Sequence, residues 1–460
     1  MKFAFGFFAR EYKEFNFKRL IALPFSCNLS DMINRRYFLK AAGLTAVAFP
    51  VTGLFNTLYA EKFAQYEARL SGLSLAEIAE DEDYWATIQQ AYTVNPNIIN
   101  LNNGGVSPAP RIVQEALDRY NKLCNEGPSY FMWRILDQGR EPLRHKLANL
   151  AGCDAEEIAI NRNTTESLST IIYGLNLKAG DEVIGCKQDY PNMINAWKQR
   201  SLREGIKYTQ LSFDFPIEDD DTIVSMYEKA ITPRTRLIHI THIINWVGQI
   251  MPVKKIADMA HAHGIDVLCD GAHSFGLLDF KIPDLGCDYF GTSLHKFLSA
   301  PIGSGMLWVQ KNKIENIWPL VCNDKPNSSD IRKFETLGTR SFAIEQAIGE
   351  ALSFHTAIGP ARKEARIRFL KNYWAEKVKD MPGVHLHTSL KKEYSCAICG
   401  VSADGLTPAE LEQHFFSNYK IHAVSISWEN INCVRVTPHV YTSLQDLDTL
   451  AEAIAAAKKK

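Results

Sequence analysis

The chain is 460 residues long, with 51 Lys+Arg against 52 Asp+Glu, a formal net charge of −1, and 46 % hydrophobic and 22 % charged residues. That length allows two or three domains, and the composition is that of an ordinary core-forming globular protein. The balanced charge excludes an electrostatic footprint for nucleic acid, since no basic stripe lies outside the N-terminus.

Residues 32–60 depart from that average. They read MINRRYFLKAAGLTAVAFPVTGLFNTLYA, with paired arginines Arg35-Arg36, then Phe38-Leu39-Lys40, then a mildly apolar stretch from Ala41 to Leu58. A charged segment ahead of an apolar one is the layout of an export signal. This one resembles the twin-arginine signal of bacteria, apart from Asn34 where Ser or Thr is usual. The expectation is export to the periplasm by the twin-arginine machinery, with cleavage after Ala60. If the segment is not cut, it becomes a membrane anchor, although Gly43, Pro50 and Gly53 make it a poor permanent helix. Residues 1–31 lie upstream of the signal, so Met32 is read as the start and 1–31 as an upstream extension.

Residues 61–110 form an N-terminal segment, polar and helical at first. It becomes dense in turn residues at Ile99–Pro108, where the amides Asn102-Asn103 precede Gly104-Gly105. Polar amides beside paired glycines read as backbone approaching a ligand, with Asn103 the candidate contact. Helices are expected at Arg111–Leu123 and Arg140–Leu150, then a strand at Glu157–Ile160. Asn161–Ser167 (NRNTTES) leads from that strand into an apolar helix. Small hydroxyl residues at such a junction, Thr164 and Thr165, leave backbone N–H groups free for a phosphate. A strand at Glu182–Cys186 ends in Lys187–Asn192, and another, Leu237–His242, runs on to Asn245. A helix near Val253–His263 follows.

The stretch Ile265–Val309 organises the rest. The short apolar runs Val267–Cys269, Tyr289-Phe290 and Met306–Val309, bounded by turn residues, read as buried strands. The first ends at Asp270 and continues Gly271-Ala272-His273. The second opens into Gly291–Lys296, with Ser293 and His295 flanking the lysine. Gly303-Ser304-Gly305 precedes the third. A carboxylate and a lysine therefore stand at neighbouring strand ends, where open α/β sheets hold their ligands. The pair suits pyridoxal 5′-phosphate: the lysine forms a Schiff base with the cofactor aldehyde, and the acid pairs with the pyridinium nitrogen. On that basis Asn245 hydrogen-bonds the phenolate oxygen. A planar group after Cys186 stacks on the ring, either Tyr190, the preferred candidate, or Asp189.

Strands alternating with helices predict a mostly parallel sheet covered on both faces, in a large domain over 111–325. From about Lys311 the pattern changes. A loop at Asn323–Asp330 and the run Phe334–Arg340 precede a helix at Ala343–His355 and a charged helix at Arg362–Lys379. Strands follow near Val384–Leu386 and Ser395–Gly400. Thr407–Glu410 and Thr442–Gln445 read as capping boxes, with the strand Cys433–Val436 between them. These elements make a smaller α/β domain over 326–460. Of the ten cysteines, Cys186, Cys269 and Cys287 lie in apolar runs and read as core. Cys396 and Cys399 form a CxxC with no second pair nearby, so no metal site is expected.

Taken together, NRNTTES, NWVGQIMPV, VLCDGAH, GTSLHKFLSAPIGSGML, FETLGTR and VRVTPHVYTSLQDLDTL resemble the class V aminotransferases. These are fold-type I pyridoxal enzymes, and the family includes cysteine desulfurases and isopenicillin N epimerase. The resemblance spans about Ile98 to Ala455. It implies that Lys296 carries pyridoxal 5′-phosphate, Asp270 holds the pyridinium, and Asn245 and His273 bond the ring oxygen. Thr164, Thr165, Ser293 and His295 would bind the phosphate. Thr339 resembles the phosphate ligand supplied by a neighbouring subunit, which implies a homodimer with shared active sites. Arg435 resembles the arginine that clamps the substrate carboxylate, a role suited to its planar fork. Desulfurases carry a catalytic cysteine shortly before this arginine, whereas Ile421–Asn430 has none, which disfavours that activity. The expected function is transamination of an amino acid or related amine. Epimerisation and β-elimination are the alternatives, and a binding protein without turnover is disfavoured because Lys296, Asp270 and Arg435 are all present. Export of a folded, loaded enzyme would also fit a cofactor made in the cytoplasm.

Overall fold

The computed structural model describes residues 65–66 and 68–457, so the upstream extension and the signal at residues 1–60 lie outside the described residues. Leu73–Lys460 makes one compact unit. Within it the helices of the large sheet region are α1 (Arg111–Glu126), α2 (Arg140–Ala151), α3 (Thr164–Gly174), α4 (Pro191–Glu204), α5 (Asp220–Lys229) and α6 (Val253–Ala262). Its strands are β1 (Ile158–Asn161), β2 (Glu182–Cys186), β3 (Lys207–Leu211), β4 (Thr235–Thr241), β5 (Asp266–Asp270), β6 (Tyr289–Ser293) and β7 (Gly305–Val309). Two long helices, α7 (Phe342–Ile358) and α8 (Pro360–Val378), lead to β8 (Val384–Leu386), β9 (Cys399–Ala403), α9 (Pro408–Tyr419), β10 (Val424–Trp428), β11 (Ile431–Val436) and α10 (Leu444–Ala455).

The seven-stranded sheet has the order β1-β7-β6-β5-β4-β2-β3. β7 pairs antiparallel with both β1 and β6, and every other neighbouring pair is parallel. Successive residues of each strand face opposite ways, and both faces are buried. Val267, Cys269, Phe290 and Trp308 join one apolar cluster, whereas Leu268, Tyr289, Leu307 and Val309 join another on the opposite face. This is why these strands read as continuous apolar runs. A second, antiparallel sheet, β10-β11-β9-β8, packs Val401, Val434 and Val436 against Leu370, Trp374, Phe415 and Leu447 in a third cluster.

Local chemistry moved several expected boundaries. Asn163, not a threonine, caps α3, accepting from the Glu166 amide. The last capping box is Ser443 with Asp446 rather than Thr442 with Gln445. The strand expected at Ser395–Gly400 begins only at Cys399. Ser395 is instead drawn into a buried turn, where Lys371 Nζ donates to its hydroxyl at 2.7 Å. Among the described residues no helix is long and apolar enough to cross a membrane.

Candidate active site

Because only β7 runs against the rest, six strands of the large sheet deliver their carboxyl ends to one edge. β5 ends there at Asp270, buried to 2 % exposure, whose Oδ1 accepts from the Ala272 amide at 2.9 Å. The chain must turn at once, and the Gly271 amide donates to the Gly291 carbonyl at 2.9 Å. A Cβ on Gly271 would lie 1.9 Å from the Phe290 ring, so no other residue fits this turn. Burial raises the Asp270 carboxyl above its usual range, opposed by His239, the Ala272 N–H and the Lys296 charge.

β6 ends at Ser293, and Lys296 follows in a turn closed by the Ser299 amide on the Lys296 carbonyl at 2.9 Å. Ser299 itself takes φ 60°. Lys296 Nζ lies 3.2 Å from His273 Nε2, which is in turn 2.8 Å from the Gly104 carbonyl. Burial pushes the Lys296 amine down to about 8, with Asp270 opposing and Arg435 adding to the fall. The His273 imidazole is held far below its usual range by burial and by the same two cations. A lysine in this condition carries a substantial neutral fraction near neutral pH, as a base or nucleophile requires.

A second corner joins β6 to the start of α3. The Thr164 amide donates to Ser293 Oγ at 3.0 Å, and the two hydroxyls lie 2.7 Å apart. Half-buried Thr165 occupies the same first turn. His295 Nδ1 lies 3.0 Å from the Ser304 carbonyl. The strand opposite approaches so closely that a Cβ on Gly305 would sit 2.5 Å from the Asn163 amide nitrogen. A helix N-terminus ringed by hydroxyls and glycine backbone presents the N–H donors that an anion can accept from.

The third corner comes from the small sheet. Arg435 on β11 is 7 % exposed and donates to the Asn245 carbonyl at 3.0 Å and to Asn102 Oδ1 at 2.8 Å. Its Nε has no partner, and among the described residues no carboxylate pairs with it. Burial lowers the guanidinium to about 10. Asn245 Oδ1 is likewise buried without a protein partner. The paired-amide segment does reach the site, but through the other amide. Asn103 is fully buried, its Oδ1 taken by the Tyr441 hydroxyl at 2.6 Å and Asn100 Nδ2 at 3.2 Å, and its Nδ2 by the Thr437 carbonyl at 2.9 Å. Nothing is left for a substrate, so Asn103 is corrected from a binding to a bridging residue. Asn102, which holds Arg435, is the one that sequence reasoning missed. The signal was there, since both amides precede Gly104, where a Cβ would crowd the Thr437 hydroxyl at 3.3 Å.

Of the two ring-stacking candidates, Asp189 is fully buried and occupied, accepting from the Cys186 amide and the Thr241 hydroxyl, both at 2.8 Å. Tyr190 opens α4 and is 42 % exposed, which leaves its ring available. Thr339 is exposed, outside the cluster around Lys296, on the segment between Ile331–Glu335 and α7. Ion pairs stiffen that segment: Glu335 with Arg144 at 2.6 Å and Arg140 at 3.0 Å, and Arg340 with Glu345 at 2.5 Å. Ile421–Asn430, which has no cysteine, supplies the first strand and the turn of a hairpin, and Cys433 is fully buried in its second strand, β11. Among the described residues no group of three or more metal-ligating side chains converges.

The family model described as aminotransferase class-V matches residues 55–449. Isopenicillin N epimerase of Streptomyces clavuligerus is 27 % identical over 389 residues, 81 % of this chain and 98 % of that protein. A probable cysteine desulfurase of Halalkalibacterium halodurans is 26 % identical over 389 residues, 79 % of this chain and 93 % of that one. Among solved structures, the apo cysteine desulfurase of Thermococcus onnurineus superimposes with a TM-score of 0.69 at 21 % identity, covering 80 % of this chain and 97 % of its own. A complex of the cystine C-S lyase C-DES with cysteine persulfide gives 0.71 at 22 %, covering 78 % and 98 %. These likenesses show the fold-type I architecture.

Proposed function

The chain belongs to the aminotransferase class-V family, and from that premise we propose that it moves the α-proton of an amino acid or related amine, with transamination as the outcome. The cofactor of the family is pyridoxal 5′-phosphate, and the residues present fit it. A buried carboxylate, a lysine of lowered basicity and a hydroxyl-ringed helix start supply complements for its ring nitrogen, aldehyde and phosphate. When bound, the cofactor supplies an electron sink for the charge left at an α-carbon.

The residues of this chain do the rest. Asp270 holds a charge against the ring nitrogen, and Thr164, Thr165, Ser293 and His295 hold the phosphate. Tyr190 covers the ring, and Asn245 and His273 bond its oxygen. Arg435 takes the substrate carboxylate in its fork, which orients the α-C–H bond. Lys296 Nζ accepts the α-proton and returns it, its neutral form being accessible near pH 8. One observation carries this reading. Arg435 is a buried cation to which no carboxylate among the described residues is paired, and it is tied through Asn102 to the segment whose Gly104 carbonyl meets His273 and so Lys296. A buried unpaired charge is costly unless a ligand completes it.

Epimerisation is the second reading, favoured by the relative that matches over 98 % of its length. The loaded enzyme, titrated with an amino-acid panel without keto acid, separates the two. Stoichiometric keto acid with stable loss of the yellow band means transamination. Exchange of the α-proton with solvent while the band persists means epimerisation, and release of a β-substituent means a lyase. No band after loading refutes the role of Lys296.

The same reading includes a homodimer in which Thr339 reaches the partner's phosphate site. It is supported by the exposure of Thr339 and of Trp133, over which Arg340 lies at 5.9 Å. Light scattering tests it. Export by the twin-arginine machinery to the periplasm is tested by cell fractionation and by the mass of the mature N-terminus.

A further inference from the structure

The turn that carries Lys296 is gripped from behind by buried groups that the chemistry above does not use. Lys363, in the first turn of α8 and 2 % exposed, donates from Nζ to the Phe297 carbonyl, the residue next to Lys296. The same Nζ lies 3.4 Å from Nδ1 of His355, a buried residue near the end of α7. The fully buried Phe297 ring stacks on the His439 imidazole with centroids 6.0 Å apart and planes at 8°. His439 Nε2 lies 3.4 Å from Ser299 Oγ, and the Tyr92 hydroxyl lies 3.5 Å from the same oxygen. Ser299 is the residue at φ 60° whose amide closes the turn on the Lys296 carbonyl. Among the described residues no carboxylate pairs with Lys363, and burial pushes its amine down to about 7, so near neutral pH it faces the carbonyl and the imidazole partly as ammonium and partly as neutral amine.

That is a poor arrangement for stability, because an uncompensated buried ammonium costs more than an apolar side chain of the same shape. It still fixes a carbonyl, since the amine donates an N–H in either protonation state and bonds most strongly as the ammonium. We propose that Lys363 is a positioning residue for Lys296, holding the lysine turn through the Phe297 carbonyl in the conformation from which Lys296 engages the cofactor and transfers the proton. The proposal rests on the reading of Lys296 as the cofactor-bearing lysine.

The test compares wild type with Lys363→Met and Lys363→Arg, each loaded with pyridoxal 5′-phosphate. It uses an amino acid whose α-proton exchange the wild type catalyses. For Lys363→Met the expected results are retained cofactor, unfolding in urea at or above the wild-type midpoint, and kcat for exchange lower by about tenfold or more with KM little changed. The pH midpoint of the visible band should also move. Lys363→Arg, which keeps a cation facing the carbonyl, should restore part of kcat. A Lys363→Met enzyme with wild-type kcat and an unmoved band, whatever its stability, overturns the proposal. If Lys363→Met does not fold, Lys363→Leu, which also removes the donor, is held to the same readings. A wild type that shows no visible band on loading overturns the Lys296 reading and the proposal together, an outcome distinct from an unaffected variant.

Discussion

Replacing Arg435 by Met should leave the cofactor-free protein about as stable as before while removing its grip on amino acids. Burial brings this guanidinium to about 10, so at neutral pH its charge is held at a cost of about 3 kcal/mol. The sign is that of a base with a lowered pKa: the cost is present at every pH below about 10 and is relieved only above it. Methionine removes that cost, keeps much of the aliphatic stem, and gives up two hydrogen bonds. The buried Asn245 carbonyl and Asn102 Oδ1 are then left short of a donor, at a loss of about 1–3 kcal/mol. The two contributions nearly cancel, so urea melts of the cofactor-free protein should agree within about 2 kcal/mol. Breaking a structural buried ion pair would instead cost about 3–5 kcal/mol. Amino-acid binding to the loaded enzyme should weaken by about 2–5 kcal/mol, a factor of roughly thirty to a few thousand. An amine without a carboxylate should bind both proteins alike. A variant that loses more than about 3 kcal/mol of stability, or that binds amino acids as tightly as wild type, would refute the assignment of Arg435 as an arginine awaiting its carboxylate.

Other perturbations follow from the same geometry. Because Lys296 falls from its ordinary 10.5 to about 8, cofactor-free stability should rise with pH across that interval, and Lys296→Met should flatten the rise in melts taken at several pH values. The rate at which the cofactor-free protein captures pyridoxal 5′-phosphate should climb through pH 8, followed by growth of the visible band. Glu335→Ala leaves the buried Ile160 amide, now 2.6 Å from the carboxylate, without a partner and Arg144 with Glu141 as its remaining carboxylate, and should cost about 1–3 kcal/mol in urea. Gly305→Ala forces a methyl to 2.5 Å from the Asn163 nitrogen and should weaken cofactor binding by pushing the start of α3 off Ser293. Titration of the cofactor-free variant measures the loss, at about 1–3 kcal/mol.

Much of the large sheet was legible because both of its faces are buried. Strands such as Asp266–Asp270 and Tyr289–Ser293 therefore appear as short apolar runs with polar residues just past their ends. Asp270 and Lys296 could be paired on that pattern alone. The direction of β7 could not, because an antiparallel central strand has the same burial as a parallel one. Asn102 and Asn103 were indistinguishable for a similar reason. Which amide faces Arg435 is decided by the pairing of Ile99–Asn100 with Ile421–His422, some 320 residues away in sequence. The cluster of Lys363, His355 and His439 gave no signal at all, since a buried lysine in a charged helical stretch looks like a solvated one until the fold closes over it.

The strand whose direction escaped prediction also sets how much freedom the site has. Ser293 and Gly305 are register partners at the base of the lysine turn, and the Leu294 amide bonds the Ser304 carbonyl at 3.0 Å. Residues 294–304 are thus a short loop pinned shut at its neck, with few conformations to lose when a cofactor arrives. The spacing between Asp270 and Lys296 is inherited from the rigid pairing of β5 and β6. Arg435 reaches the site on a different sheet. A displacement of that second sheet would move Arg435 relative to the lysine turn, and its bonds to Asn245 and Asn102 would carry the movement towards His273. The lysine turn and the arginine are therefore carried by separate sheets whose relative movements these bonds couple.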